Sequence, residues 1–299
     1  MNVASVIKDN TRRHLVYNNG QLYCQNVTAV GWVGGTVPDD IPDNKGIIEL
    51  STSDSSNSGI VCGAGLAGRK PIYVIRYQGF MTYNSASILN YACKSKEMWD
   101  IPCPIFIRSI GMEGSIGPVA TGMHHSMAVR MPGIKVFAPM TPNEWQETWD
   151  YFLDHEDIIY CSEHRKSFVI DKDIESFYSQ DPDICIIGIG AARLEVAKAA
   201  EILSKDYKVH TINQFKVKPL TISEENLESI RKSDICVVVD SDYKMCGVSE
   251  HICYTLMLLD LNKNCHAMAL EDRTAGFSKS TDNVTPDYNQ ITKYVRSQL

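Results

Sequence analysis

SDSSNSGIVCGAGLAGRKPIYVIRYQGFMTYNSASILNYACK, residues Ser53 to Lys94, is the stretch on which the fold turns. The acidic residue Asp54 stands just ahead of a run of small residues, Gly59 to Gly68, whose pattern predicts a helix. Glycine inside a helix costs roughly 1 kcal/mol relative to alanine. Its repeated use is expected where another backbone or a flat ligand packs close. A β-branched strand over 72–76 follows, then the aromatic residues Tyr77, Phe80 and Tyr83, then a second helical pattern. The order is therefore carboxylate, crowded helix, strand, aromatic platform.

Working outward, apolar runs of strand length recur at 46–50, 104–108, 134–138 and 158–162, alternating with helical patterns. Beyond them, DKDIESFYSQDP (171–182) is polar, aperiodic and ends on Pro182, as a linker would. After it come an apolar strand over Asp183–Gly190, an amphipathic helix over Arg193–Lys205 and a strand over Val209–Asn213. A helix over Ser223–Ser233, a strand over Ile235–Asp240 and a helix over Gly247–Leu258 complete the pattern. Short strands separated by helices predict an α/β fold with a parallel sheet in each half. The expected division is 1–170, a linker at 171–182, and 183–299.

Composition agrees with such a chain. Its 299 residues suit about two domains, and 44% apolar residues suffice for full cores. A net charge of −7 argues against nucleic acid or an acidic membrane surface as the main partner. No apolar run of membrane-spanning length occurs, and MNVASVIKDNTRRHL lacks the apolar core of a signal peptide. The ten cysteines show neither a CxxC pair nor zinc spacing. Several sit in apolar strands, the usage of a reducing compartment, so a cytoplasmic location is expected.

These features resemble the thiamine diphosphate-dependent, transketolase-like enzymes. The likeness is to E1 β subunits of 2-oxo acid dehydrogenases and to the C-terminal half, or subunit, of transketolases. Their pattern around the cofactor carboxylate, SE-x(4)-G-x(3)-GAA-x-AG-x-RP, has its counterpart here in SD-x(4)-G-x(3)-GAG-x-AG-x-KP, from Ser53 to Pro71. The strand ending in Arg108, the loop Gly111–Gly122, His124-His125-Ser126 and the turn Pro132–Pro139 continue the match. Val237-Val-Val-Asp240, followed by Gly247-Val-Ser-Glu-His-Ile252, resembles the transketolase C-terminal domain. The fold so implied is a pyrimidine-binding domain followed by a transketolase C-terminal-like domain.

The resemblance implies roles residue by residue. Asp54 falls where a carboxyl meets the cofactor's aminopyrimidine; the family residue is Glu, one methylene longer, about 1.5 Å. Read from its neighbours alone, Asp54 is equally suited to cap the following helix. Phe80 falls at the ring-stacking position, with Tyr77 and Tyr83 as pocket walls; core filling is the plainer alternative. His125 matches the histidine that handles protons beside the thiazolium, with His124 one residue away as its rival and a surface-loop role open to both. The loop before His125 is longer, and the segment from His125 to Pro132 shorter, than in E1 β subunits. The family's GDG diphosphate motif is absent, so no metal ligand is expected on this chain. Magnesium and the diphosphate are expected on an α-type partner subunit, within an α2β2 assembly built on a homodimer of this chain. The implied reaction makes or breaks a C–C bond beside a carbonyl of a 2-oxo acid or ketose. A carboligating subunit acting on sugar-type substrates and a non-catalytic scaffold are the alternatives.

Overall fold

In the computed structural model, residues 1–41, 45–262 and 264–299 are described. Contacts divide the chain into two units. The first comprises Met1–Met112 and Met127–Asp173, the second Glu113–Ser126 and Ile174–Leu299.

The first unit contains β1 (Gln21–Gln25), β2 (Ile47–Leu50), β3 (Pro71–Ile75), β4 (Phe106–Gly111), β5 (Lys135–Phe137) and β6 (Ile159–His164). They lie in the order β2-β1-β3-β4-β6-β5, and neighbours pair in parallel. Every residue of β3, β4 and β6 is buried, as expected of parallel strands covered on both faces. All five strands expected here overlap an observed one. The sequence gives no expectation of β1, whose QLYCQ offers only three apolar residues between two glutamines.

The helix over Asp54–Leu66 starts five residues earlier than its small-residue core suggests. Only part of that core is crowded. A methyl group on Gly65 would lie 2.7 Å from the Cys103 sulfur and 3.2 Å from Ile105, whereas one on Gly63 would meet nothing. On the opposite side of the sequence, Thr141 and Glu144 form a capping box for the helix Pro142–Asp154. Its buried Trp145, Trp149 and Phe152 recur at helical spacing, and Phe106 of β4 stacks on Phe152 and meets Trp149 edge-on.

The second unit contains β7 (Ile184–Ile189), β8 (Val209–Gln214), a short β9 (Lys216–Lys218), β10 (Ile235–Tyr243) and β11 (Cys265–Leu270). Four of them form a parallel sheet in the order β11-β10-β7-β8. The helices Ala192–Leu203 and Tyr288–Gln298 bury Val196, Leu203, Ile291 and Val295 against Ile184, Ile186 and Val237. The helices expected over 223–233 and 247–258 are found at Glu224–Lys232 and Val248–Leu258. Upstream, the linker runs beside β8, where Thr211 N donates to the Phe177 carbonyl at 2.8 Å.

The division differs from a single cut at 171–182, because Glu113–Ser126 belongs to the second unit. Polar contacts explain why. Glu113 Oε2 accepts from the Thr285 amide (3.0 Å) and hydroxyl (2.9 Å), and the Ser115 amide donates to Asp282. Met123 bridges to Asp242 as a strand would, the Ser126 amide donates to Asp242 at 2.7 Å, and Val248 N donates to the Ser126 hydroxyl at 3.1 Å. No helix among the described residues is long and apolar enough to cross a membrane.

Candidate functional site

Chemistry-bearing residues of the first unit gather in the loops following its parallel strands, the end of such sheets where ligands bind. Asp54 follows β2, and Arg76, Tyr77 and Phe80 follow β3. Asp54 is half-buried in the first turn of its helix, where the dipole favours a negative charge. It is not the cap. Ser53 holds that position, its hydroxyl donating to the Ser56 hydroxyl at 3.1 Å rather than accepting from a helix amide, and the Asp54 carboxylate turns instead to Asn84, whose Nδ2 donates to Oδ1 at 3.1 Å. No partner is found for the other carboxylate oxygen among the described residues.

Asn84, fully buried in the helix Met81–Ser87, makes three bonds. Besides Asp54, its Nδ2 donates to the Phe80 carbonyl at 2.9 Å, and its Oδ1 accepts from the Tyr73 hydroxyl at 2.6 Å. Burial first, and the Asp54 charge second, push the Tyr73 hydroxyl well above its ordinary range, so it stays a donor. Phe80 is half-buried between two rings: Tyr77 meets it edge-on at 5.5 Å and Tyr83 lies tilted at 6.4 Å. Tyr83 is 60% exposed, so this is a platform with an open side rather than a filled core. The four residues Asp54, Tyr77, Phe80 and Tyr83 are thus brought together, with the Ser55 hydroxyl donating to the Tyr83 carbonyl at 3.1 Å.

Beside Tyr77 lies a cavity of about 90 Å³ lined by Val33, Gly34, Arg76, Met112, Arg165 and Phe168. The Arg76 guanidinium sits 5.6 Å from the Tyr77 ring centre. Neither Arg76 nor Arg165 has a carboxylate partner among the described residues. Arg108, by contrast, is committed to structure. It is fully buried, gripping Glu163 through Nε (2.9 Å) and Nη2 (2.8 Å) and donating to the Thr36 hydroxyl, which ties β4 to β6.

His125 belongs to the second unit and is fully buried. Its Nε2 lies 3.1 Å from Asp240 Oδ2 and 3.8 Å from Asp242 Oδ2. Burial pushes the imidazole down, but Asp240, then Asp242, outweigh it and raise the group to about 9. His124 is half-buried, stacked on Tyr243 at 5.4 Å, and lowered by burial with His125 adding to the effect and Asp242 opposing it. The pair is therefore an imidazole, His125, held beside two buried acidic groups that favour its protonation, and a second, His124, at the edge, where burial disfavours the charge. Neither is a plain surface-loop residue.

Sequence reasoning passed over Asn84 and the two aspartates. Asn84 stands one helical turn after Phe80, and Asp240 and Asp242 stand two apart on β10, hence on one face. Each spacing places two residues on one face but says nothing of what that face meets.

Two parallel α/β units in this order are the architecture of the transketolase-like class of thiamine enzymes. Residues 31–169 match the transketolase pyrimidine binding domain and residues 176–291 the transketolase C-terminal domain, and the chain belongs to the family built from these two domains. Among curated proteins, it is 23% identical over 282 residues to the pyruvate dehydrogenase E1 component subunit beta of Bacillus subtilis, covering 85% of this chain and 83% of that protein. The corresponding subunit of Staphylococcus epidermidis is 22% identical over 280 residues. A split gene transketolase, solved as an inactive beta4 tetramer, is similar with a TM-score of 0.74 at 12% identity, covering 99% of this chain and 96% of that one. The transketolase of Campylobacter jejuni gives a TM-score of 0.73 at 12% identity, with 98% of this chain spanning 46% of that enzyme.

Proposed function

We propose that this chain is the β-type subunit of a thiamine diphosphate-dependent enzyme that makes or breaks a C–C bond beside a carbonyl. One observation carries the proposal: the half-buried Asp54 carboxylate, with one oxygen held by Asn84 and the other without a partner among the described residues, beside the open ring set of Phe80, Tyr77 and Tyr83. An acceptor next to a partly open aromatic face fits a flat, nitrogen-bearing ring such as an aminopyrimidine. When bound, the cofactor supplies the nucleophilic carbon. Asp54 holds the ring nitrogen, Phe80 supports the ring face, and the tyrosines narrow the opening.

The E1 β relatives, named as beta subunits, support pairing with an α-type subunit; the missing GDG motif assigns the diphosphate site and Mg2+ to that partner, within an α2β2 assembly on a homodimer of this chain. Arg76 and Arg165 beside Tyr77 favour a small anionic substrate, a 2-oxo acid before a neutral ketose. Proton handling, implied by the resemblance for His125, suits His124 better, which is half-buried rather than enclosed. His125 then fixes the turn that carries its neighbour.

The test is to isolate the chain with whatever copurifies and titrate thiamine diphosphate and magnesium by calorimetry. Saturable, magnesium-dependent binding in the presence of a second subunit is expected. No partner and no binding would leave the scaffold alternative in its place.

A further inference from the structure

We propose that Asn84 is the positioning residue of this site: its buried amide, steadied by the Tyr73 hydroxyl, presents the Asp54 carboxylate and the Phe80 backbone to the aminopyrimidine as one rigid unit. The proposal rests on the roles given above to Asp54 and Phe80.

The donors and acceptors around Asn84 settle which way its amide points. On one side lie two acceptors, Asp54 Oδ1 at 3.1 Å and the Phe80 carbonyl at 2.9 Å; on the other lies one hydroxyl donor, Tyr73, at 2.6 Å. Turning the amide over would set its oxygen against both acceptors, so only one orientation satisfies the group. Asn84 and Tyr73 are fully buried, so the orientation is not softened by water. Two elements distant in sequence, the start of the helix Asp54–Leu66 and the turn after β3, are thereby referred to one amide.

The arrangement answers the shortness of aspartate. With one methylene fewer than glutamate, Asp54 has less reach toward a ring, and it lacks the further torsion by which a glutamate could make up for a misplaced carboxylate. A fixed donor on Oδ1 holds the carboxylate and aims Oδ2. Because the same amide holds the Phe80 carbonyl, carboxylate and ring platform keep their separation. Asn84 touches neither cofactor nor substrate in this scheme; it acts through Asp54 and Phe80.

The experiment is a double-mutant cycle of Asp54→Ala and Asn84→Ala in the assembled complex, read by calorimetric affinity for thiamine diphosphate with thermal unfolding alongside. A hydrogen bond to a charged group sets the scale. Asn84→Ala is expected to weaken binding by about tenfold or more in the native background and by clearly less, through Phe80 alone, when Asp54 is already alanine. Equal losses in both backgrounds, or none in the native one, would overturn the positioning role while leaving Asp54 in place. If Asp54→Ala itself binds normally, the site assignment fails, and the positioning role with it.

Because Asn84→Ala strands the Tyr73 hydroxyl, Asn84→Asp serves as a second variant of the same shape. It keeps the acceptor for Tyr73 but sets a carboxylate against Asp54, and two such groups share a proton. Its affinity, relative to that of the native complex at each pH, is expected to recover as pH falls. A flat ratio across pH would count against the proposal.

Discussion

The surroundings of Asp54 and of His125 are built on opposite plans. Around Asp54 one carboxylate oxygen is engaged, the other has no partner among the described residues, and the neighbouring rings face outward. Around His125 an imidazole and two carboxylates face one another with no exposed surface to speak of. The first is a group kept short of partners, as a binding site must be. The second is closed on itself, and its charges do the work of fastening Glu113–Ser126 to β10.

The sharpest way to break the comparison is Asp54→Ala. In the assembled enzyme it should cost orders of magnitude in turnover, about 10²–10⁴ for a group engaged in proton transfer chemistry, with the melting temperature nearly unchanged. Steady-state kinetics with calorimetric scanning checks both halves. Normal turnover would remove the contrast altogether. His125→Ala should show the reverse pattern. Removing the imidazole leaves Asp240 and Asp242 buried together, and breaking such a buried pair costs roughly 3–5 kcal/mol. Chemical denaturation reads this directly; an undisturbed midpoint would mean that the cluster is not a fastening.

Phe80→Ala should weaken thiamine diphosphate binding by about two- to tenfold beyond the loss of buried area, on the scale of ring pairing. Titration of the variant against Tyr83→Ala separates stacking from simple wall contact. The smallest effect is in pH. His125 is raised to about 9 in the folded chain against an ordinary 6.5, so its stabilisation is complete below 6.5 and lost as pH rises through about 9. Melting curves from pH 7 to 10 should fall by a few degrees more for the native chain than for His125→Asn. Parallel curves would deny the protonated imidazole its role.

What could be read beforehand follows the physics of each feature. The buried strands announce themselves because both faces are apolar, so composition alone marks them, whereas β1 between its glutamines does not. Asp54 and Phe80 stand out because their spacing repeats a family pattern. Asn84 does not, because asparagine inside a helix has the composition of an exposed position and only the fold surrounds it with Tyr73, Asp54 and Phe80. Nor does the burial of His125, since its carboxylate partners lie more than a hundred residues away in sequence. A histidine in a glycine-rich loop has the composition of a surface, and long-range charge pairing is what overrides it.

The excursion of Glu113–Ser126 into the second unit bears on how this molecule can be taken apart. A protease cut at 171–182 would not release two self-sufficient halves. The amino-terminal piece would carry away the strip that covers Asp240 and Asp242, leaving a carboxylate pair open to water on the carboxyl-terminal piece. Exchange of halves between relatives meets the same obstacle. The strip from Glu113 to Ser126 must travel with the surface it was matched to, so the unit of inheritance here is two separated stretches of chain and not one.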